Sequence, residues 1–141
     1  MKILVAIDGS KHALRAVKYA TALVGQLQQA SRVTLISVHD DTGLGPVKAF
    51  VGSEEVAEYL REFSDKELKP ARKILDVAEV KHDAEIRTGH VAQEIVNCAS
   101  HGKFDLIVLG AKGRGALADL LIGSVAQRVL AMAKQPVTLV K

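Results

Sequence analysis

The chain predicts an α/β fold: an open five-stranded parallel sheet of strand order 3-2-1-4-5, Rossmann-like, with helices on both faces. Two observations point to it. Four apolar runs, Ile3–Ile7, Val33–Val38, Leu106–Leu109 and Val137–Val140, are continuous rather than alternating, as strands buried on both faces must be. A fifth, Val80–Arg87, alternates, with Val80, His82, Ala84 and Ile86 on one side and Lys81, Asp83, Glu85 and Arg87 on the other. That pattern fits an edge strand with one solvated face, and placing it at the edge yields the stated order.

The segments between the strands read as helices. After Ser10, a candidate N-cap, Ala13, Val17, Ala20, Val24 and Leu27 recur at the helical period. The stretch from Asp40 to Gly52 holds Gly43, Gly45, Pro46 and Gly52 and reads as a mobile loop. A long helix is expected from Ser53 to Ala78, with Ser53 as N-cap and Glu54 and Glu55 at the positive end of its dipole. Pro70 should bend or break it near Lys69. Val91, Ile95 and Ala99 make another stripe that ends near Gly102, and Val125, Val129 and Met132 belong to the last helix. The 141 residues show no repeat and no boundary, so residues 1–141 are expected to form one domain.

Composition excludes several classes. No apolar run approaches the roughly 20 residues needed to cross a bilayer, and the start does not read as a signal peptide, so no membrane partner is expected. A single cysteine, Cys98, rules out an internal disulfide framework and fits the cytoplasm. Net charge is +3, but the cations are interspersed with acids and there is no Trp, so a nucleic-acid face is not expected either. His12, His39, His82, His90 and His101 lack paired ligand spacing, and no metal site of protein ligands is expected. The cluster His39-Asp40-Asp41 reads as a solvated strand end, and Cys98 as a small buried hydrophobe.

The candidate site lies where the topology reverses, between strands one and four, beyond their carboxyl ends. Two loops meet there. Gly110 to Ser124 reads G-A-K-G-R-G-A-L-A-D-L-L-I-G-S, a G-x2-G-x9-G-S spacing through Gly110, Gly113 and Gly123-Ser124. Glycines let a backbone approach a phosphate, and a helix N-terminus offers free N–H groups. The amides near Gly113 and from Gly123 to Val125 are therefore expected to hold phosphates, with the Ser124 hydroxyl adding a bond and Lys112 and Arg114 as further candidates. A simple connector with Ser124 and Gln127 as a capping box is the competing account. The second loop is Asp8-Gly9-Ser10, in which Asp8 either caps the turn or accepts ribose hydroxyls and partners a phosphate-bound Mg²⁺. No P-loop is present, and Gly113-x-Gly115-x2-Ala118 is only a weak dinucleotide pattern. The last strand, with an exposed edge, invites pairing into a homodimer.

Taken together, the opening I-L-V-A-I-D-G-S, the α/β order, and the G-x2-G-x9-G-S followed by V-A-Q-R-V and a terminal strand resemble the universal stress protein family over nearly the whole chain. The resemblance implies the ATP-binding kind: Gly110, Gly113, Gly123 and Ser124 carrying ribose and phosphate contacts, Val125 donating its amide, Asp8 near ribose and metal, and the backbone of Val38 meeting adenine. It implies a homodimer paired through the last strand and a part in stress tolerance. The expected function is thus an ATP-binding regulatory protein with little or no turnover. A slow ATPase or nucleotidyl or phosphoryl transferase, and a nucleotide-free dimeric interaction module, are the alternatives.

Overall fold

The structure is a computed structural model that describes residues 1–113 and 121–141. Its strands are β1 (Lys2–Ile7), β2 (Arg32–His39), β3 (His82–Thr88), β4 (Leu106–Gly110) and β5 (Val137–Val140). Its helices are α1 (Lys11–Gln26), α2 (Gly45–Val51), α3 (Ser53–Val77), α4 (Val91–His101) and α5 (Ser124–Met132). The five strands form one sheet in the order β3-β2-β1-β4-β5, with every neighbouring pair parallel. The expected topology is therefore the observed one.

Two apolar layers hold the sheet. On one face Ile3, Val5, Val33 and Leu35 meet Ala13, Val17 and Ala20 of α1 and Leu68, Ala71 and Leu75 of α3. On the other, Leu4, Ile36, Ile107 and Leu109 meet Ile95 and Ala99 of α4 and Ala126 and Val129 of α5. Successive residues of a strand point to opposite faces, so a continuous apolar run serves both layers. Ser10 caps α1 as expected, its side chain accepting from the Ala13 N–H.

Four local expectations are corrected. The segment from Asp40 to Gly52 is not a loop: a 3-10 turn at Thr42–Leu44 leads into α2. Asp40 starts it by accepting from the Thr42 N–H and hydroxyl, and Pro46 sits in the first turn of α2, where a missing N–H is harmless. The N-cap of α3 is Gly52 rather than Ser53; its φ of 111° joins α2 to α3 in a conformation that favours glycine. Pro70 does not break α3, which runs unbroken to Val77. Leu68, Ala71 and Leu75, all fully buried, press the helix onto the sheet on both sides of the proline, and that burial outweighs one lost backbone bond. Finally, β3 begins at His82, not Val80, because the Val80 N–H returns to the Leu75 carbonyl and closes the end of α3.

Candidate functional site

A cavity of about 360 Å³ opens at the carboxyl ends of β1 and β4. Asp8, Val38, Gly110, Gly113, Gly123, Ser124 and Val125 all line it, as does Lys112. Residues far apart in sequence are thus brought to one crevice by the reversal of strand order between β1 and β4. Arg114, with Gly115 and Ala118, lies outside the described residues.

The floor is built by the β1–α1 turn. Asp8 Oδ1 accepts from the Ser10 N–H at 2.9 Å, while Gly9 takes a φ of 78°. Part of the capping account of Asp8 is therefore correct, since one carboxylate oxygen shapes the turn. The other faces the opposite loop: a Cβ built on Gly113 would stand 2.8 Å from Asp8 Oδ2. Gly113 and that carboxylate thus lie close together across the crevice. Gly110 answers to a different neighbour, as its Cβ would stand 2.7 Å from the His12 carbonyl carbon and 3.0 Å from the Ala13 nitrogen. Absence of a side chain there lets the start of α1 approach β4.

The roof is the N-terminus of α5. The Gly123 N–H bonds to the Ala111 carbonyl at 2.7 Å and draws the two ends of the long connection together. The capping-box account is corrected here: Gly123 is the N-cap, no side chain caps the helix, and Gln127 Nε2 donates instead to the Ile122 carbonyl at 2.9 Å. Ser124 is the first helical residue, so its hydroxyl and the first amides of α5 belong to the cavity wall. Those amides and the dipole behind them make this end of the cavity suited to an anion.

The rest of the wall is mainly apolar, and apart from Val38 its residues are not among those the sequence singles out. Ile36 and Val38 of β2 and Val91 and Ile95 of α4 line it as well. The signal was present, because Ile36 and Val38 alternate along β2 onto the face that α4 covers, but pairing α4 with that face required the fold. The cavity therefore combines a carboxylate and the start of a helix with aliphatic side chains, a lining suited to an amphipathic ligand.

Outside the cavity, the solvated reading of His39 is corrected. Its ring meets Phe63 edge-on at 5.2 Å and lies 3.5 Å from Glu67 Oε1, whose side chain is only 6% exposed. A helix packed over β2 covers the strand end, which strand-level reading could not show. Asp40 lies 3.9 Å from His90, and its carboxyl is held below the usual range chiefly by its bonds to Thr42. Among the described residues, no group of three or more His, Cys, Asp or Glu is placed to hold a metal ion, and no helix is long and apolar enough to cross a membrane.

Cys98 is buried under β3 as expected, with its thiol 3.6 Å from Glu85. Burial, aided by the Glu85 carboxylate, pushes the thiol from 9.0 up to about 11. The thiolate is the reactive form, so at pH 8 native protein should react with a thiol reagent roughly a hundredfold more slowly than unfolded protein. Equal labelling rates in buffer and in denaturant, followed with a chromogenic disulfide, would contradict this. The same shift makes the folded state lose stability as pH rises above 9.0, where the unfolded thiol ionises and the folded one does not.

The model of the universal stress protein family matches residues 1–141. The chain belongs to that family. Universal stress protein MJ0531 of Methanocaldococcus jannaschii is 36% identical over 140 residues, covering 99% of this chain and 81% of the relative. Among solved structures, hypothetical protein MJ0577 aligns with a TM-score of 0.87 at 30% identity, covering 99% of this chain and 94% of the other. The universal stress protein of Archaeoglobus fulgidus in complex with dAMP aligns at 0.69 and 21% identity, covering 100% and 98%. The Arabidopsis thaliana family member with AMP bound aligns at 0.70 and 19% identity, covering 100% and 91%. The last two share the fold.

Proposed function

We propose that this universal stress protein binds ATP in the cavity between β1 and β4 and acts as a regulatory protein in a stress response, with little or no turnover. The observation that carries the reading is the convergence of Asp8, Gly113 and the uncapped start of α5 on one cavity that aliphatic side chains also line. Adenine lies against Val38, Val91 and Ile95, ribose near Asp8, and the phosphates over Gly113 and the amides of Gly123 to Val125. Gly110 contributes by letting α1 close the floor. Family members elsewhere hold dAMP and AMP, which supports an adenine nucleotide as ligand.

Mg²⁺ fits only as a passenger of the phosphates. Among the described residues one carboxylate, Asp8, lines the cavity, and Mg²⁺ commonly takes one or two carboxylates together with substrate phosphates and water. Bound there, it would neutralise phosphate charge. Among the described residues β5 ends the sheet with β4 as its one partner, so its outer edge is offered to the same strand of a second copy, giving a homodimer. ATP regulates by shifting the population of loop or dimer states that it binds unequally.

Calorimetric titration with ATP, ADP and AMP, each with and without Mg²⁺, tests the reading. At a protein concentration near ~100 μM, ATP should give clear heat with a preference over AMP, because the phosphate contacts exceed those AMP can make. No heat from any of the three would overturn it. Gly123→Val is the positional control: an Ala-sized Cβ there meets only ordinary contacts at 3.4 Å and beyond, but the larger branched side chain crowds the Gly113 amide. A folded Gly123→Val protein that binds ATP like the parent would place the phosphates elsewhere.

A further inference from the structure

The most conspicuous surface outside the cavity is the arm made by α2 and the first half of α3. No residue of α2 is buried, although Val47, Phe50 and Val51 are among its seven. Phe50 is 91% exposed and Tyr59 of α3 is 65% exposed. Between Ser53 and Phe63 only Val56 reaches the core. Isolated exposed apolar side chains are ordinary, but here several lie on two consecutive helices that are in contact, with Tyr59 stacked on Phe63.

The charge around them is mainly negative. Residues 40–65 hold seven acids against Lys48 and Arg61, in a chain whose net charge is +3. Asp41 pairs with Lys48 and Asp65 with Arg72. Glu54, Glu55, Glu58 and Glu62 are exposed and in no ion pair among the described residues. Glu55, Glu58 and Glu62 fall on one helical face, with Tyr59 one turn after Glu55.

We infer that this arm docks a lysine- or arginine-rich amphipathic helix of another protein. The apolar side of that segment covers Phe50, Val51 and Tyr59, and its cations lie along the glutamates of α3. An apolar strip edged by mainly negative charge selects a segment with an apolar face and the opposite charge, the helix-in-groove mode of peptide recognition. Nucleic acids and anionic lipid surfaces carry the wrong charge for this face. The inference stands apart from nucleotide binding, so either can fail alone.

The probe is a synthetic helical peptide of leucine and lysine with its leucines on one face, titrated into the whole protein at low and moderate salt. Binding is expected, weakening with salt as exposed ion pairs are screened. Phe50→Ser and Glu58→Lys should each weaken it by about tenfold, as central aromatic and charge contacts do, with unfolding midpoints unchanged because both side chains are exposed. Backbone amide shifts should cluster in residues 45–63. The inference is overturned by no binding at millimolar peptide, by equal binding to either variant, or by shifts centred elsewhere. Equal binding of a lysine–glycine peptide without an apolar face would also overturn it. So would self-association of the parent that Phe50→Ser abolishes, which would make a second copy the occupant.

Discussion

Gly110→Ala is expected to destabilise the protein by about 2–3 kcal/mol, the usual scale for forcing a methyl into a filled space. The new Cβ would stand 2.7 Å from the His12 carbonyl carbon, 2.8 Å from His12 Cβ and 3.0 Å from the Ala13 nitrogen. Two of these are backbone atoms of the first turn of α1, held by the Ser10 cap, so no side chain can rotate away. α1 must retreat from β4, and with it the buried Ala13 and Ala16. Urea unfolding monitored by far-UV circular dichroism gives the loss directly. Gly25→Ala is the opposite case: nothing lies within 4 Å of its Cβ, and it sits inside α1. Its stability should rise by about 0.5 kcal/mol, since alanine suits a helix interior and restricts the unfolded chain. A Gly110→Ala protein as stable as the parent would show that α1 has room the structure does not give it.

Leu68→Ala should cost about 3 kcal/mol or more, from lost burial and the void left behind. Leu68 is fully buried between α3 and the sheet, in the layer with Val33, Leu35 and Leu75. Along β2 the residues on this side change character, from Val33 and Leu35 to Ser37, which bonds Ser64 at 3.1 Å, and then His39 beside Glu67. The apolar contacts of α3 with β2 are therefore concentrated toward the start of the strand, and Leu68 is central to them. Val77→Ala, at a side chain 78% exposed, should change stability by less than about 0.5 kcal/mol. Urea midpoints of the two variants separate the predictions, and a small loss for Leu68→Ala would mean that the layer collapses around the void.

The architecture was legible because its signals are redundant. Four continuous apolar runs, one alternating run and helical stripes between them leave few topologies once right-handed crossovers are required. Errors were confined to places where a local signal met a stronger distant one. Pro70 weakens a helix locally, but Leu68, Ala71 and Leu75 bury it regardless. The glycines of residues 43–52 suggested a loop, whereas Asp40 and Pro46 supply a start that short-range reading undervalued. His39 looked solvated because nothing adjacent in sequence announces that Phe63 and Glu67 cover it.

The candidate site divides in the same way. From the sequence alone came its polar members, Asp8, Gly113 and Gly123 to Val125, since glycine spacing and a strand-ending carboxylate are local chemical signals. The apolar wall of Val91 and Ile95 came only with the packing of α4 on β2. So did the reason for Gly110, which yields to α1, and the closeness of Gly113 to the Asp8 carboxylate. Periodicity and spacing travel along the chain, so the sequence by itself determined the strand order, the family and the polar residues of the crevice. Steric closeness between residues a hundred positions apart does not travel along it, and only the tertiary structure decided which glycine serves the fold, which helix walls the cavity, and which surface is left uncovered.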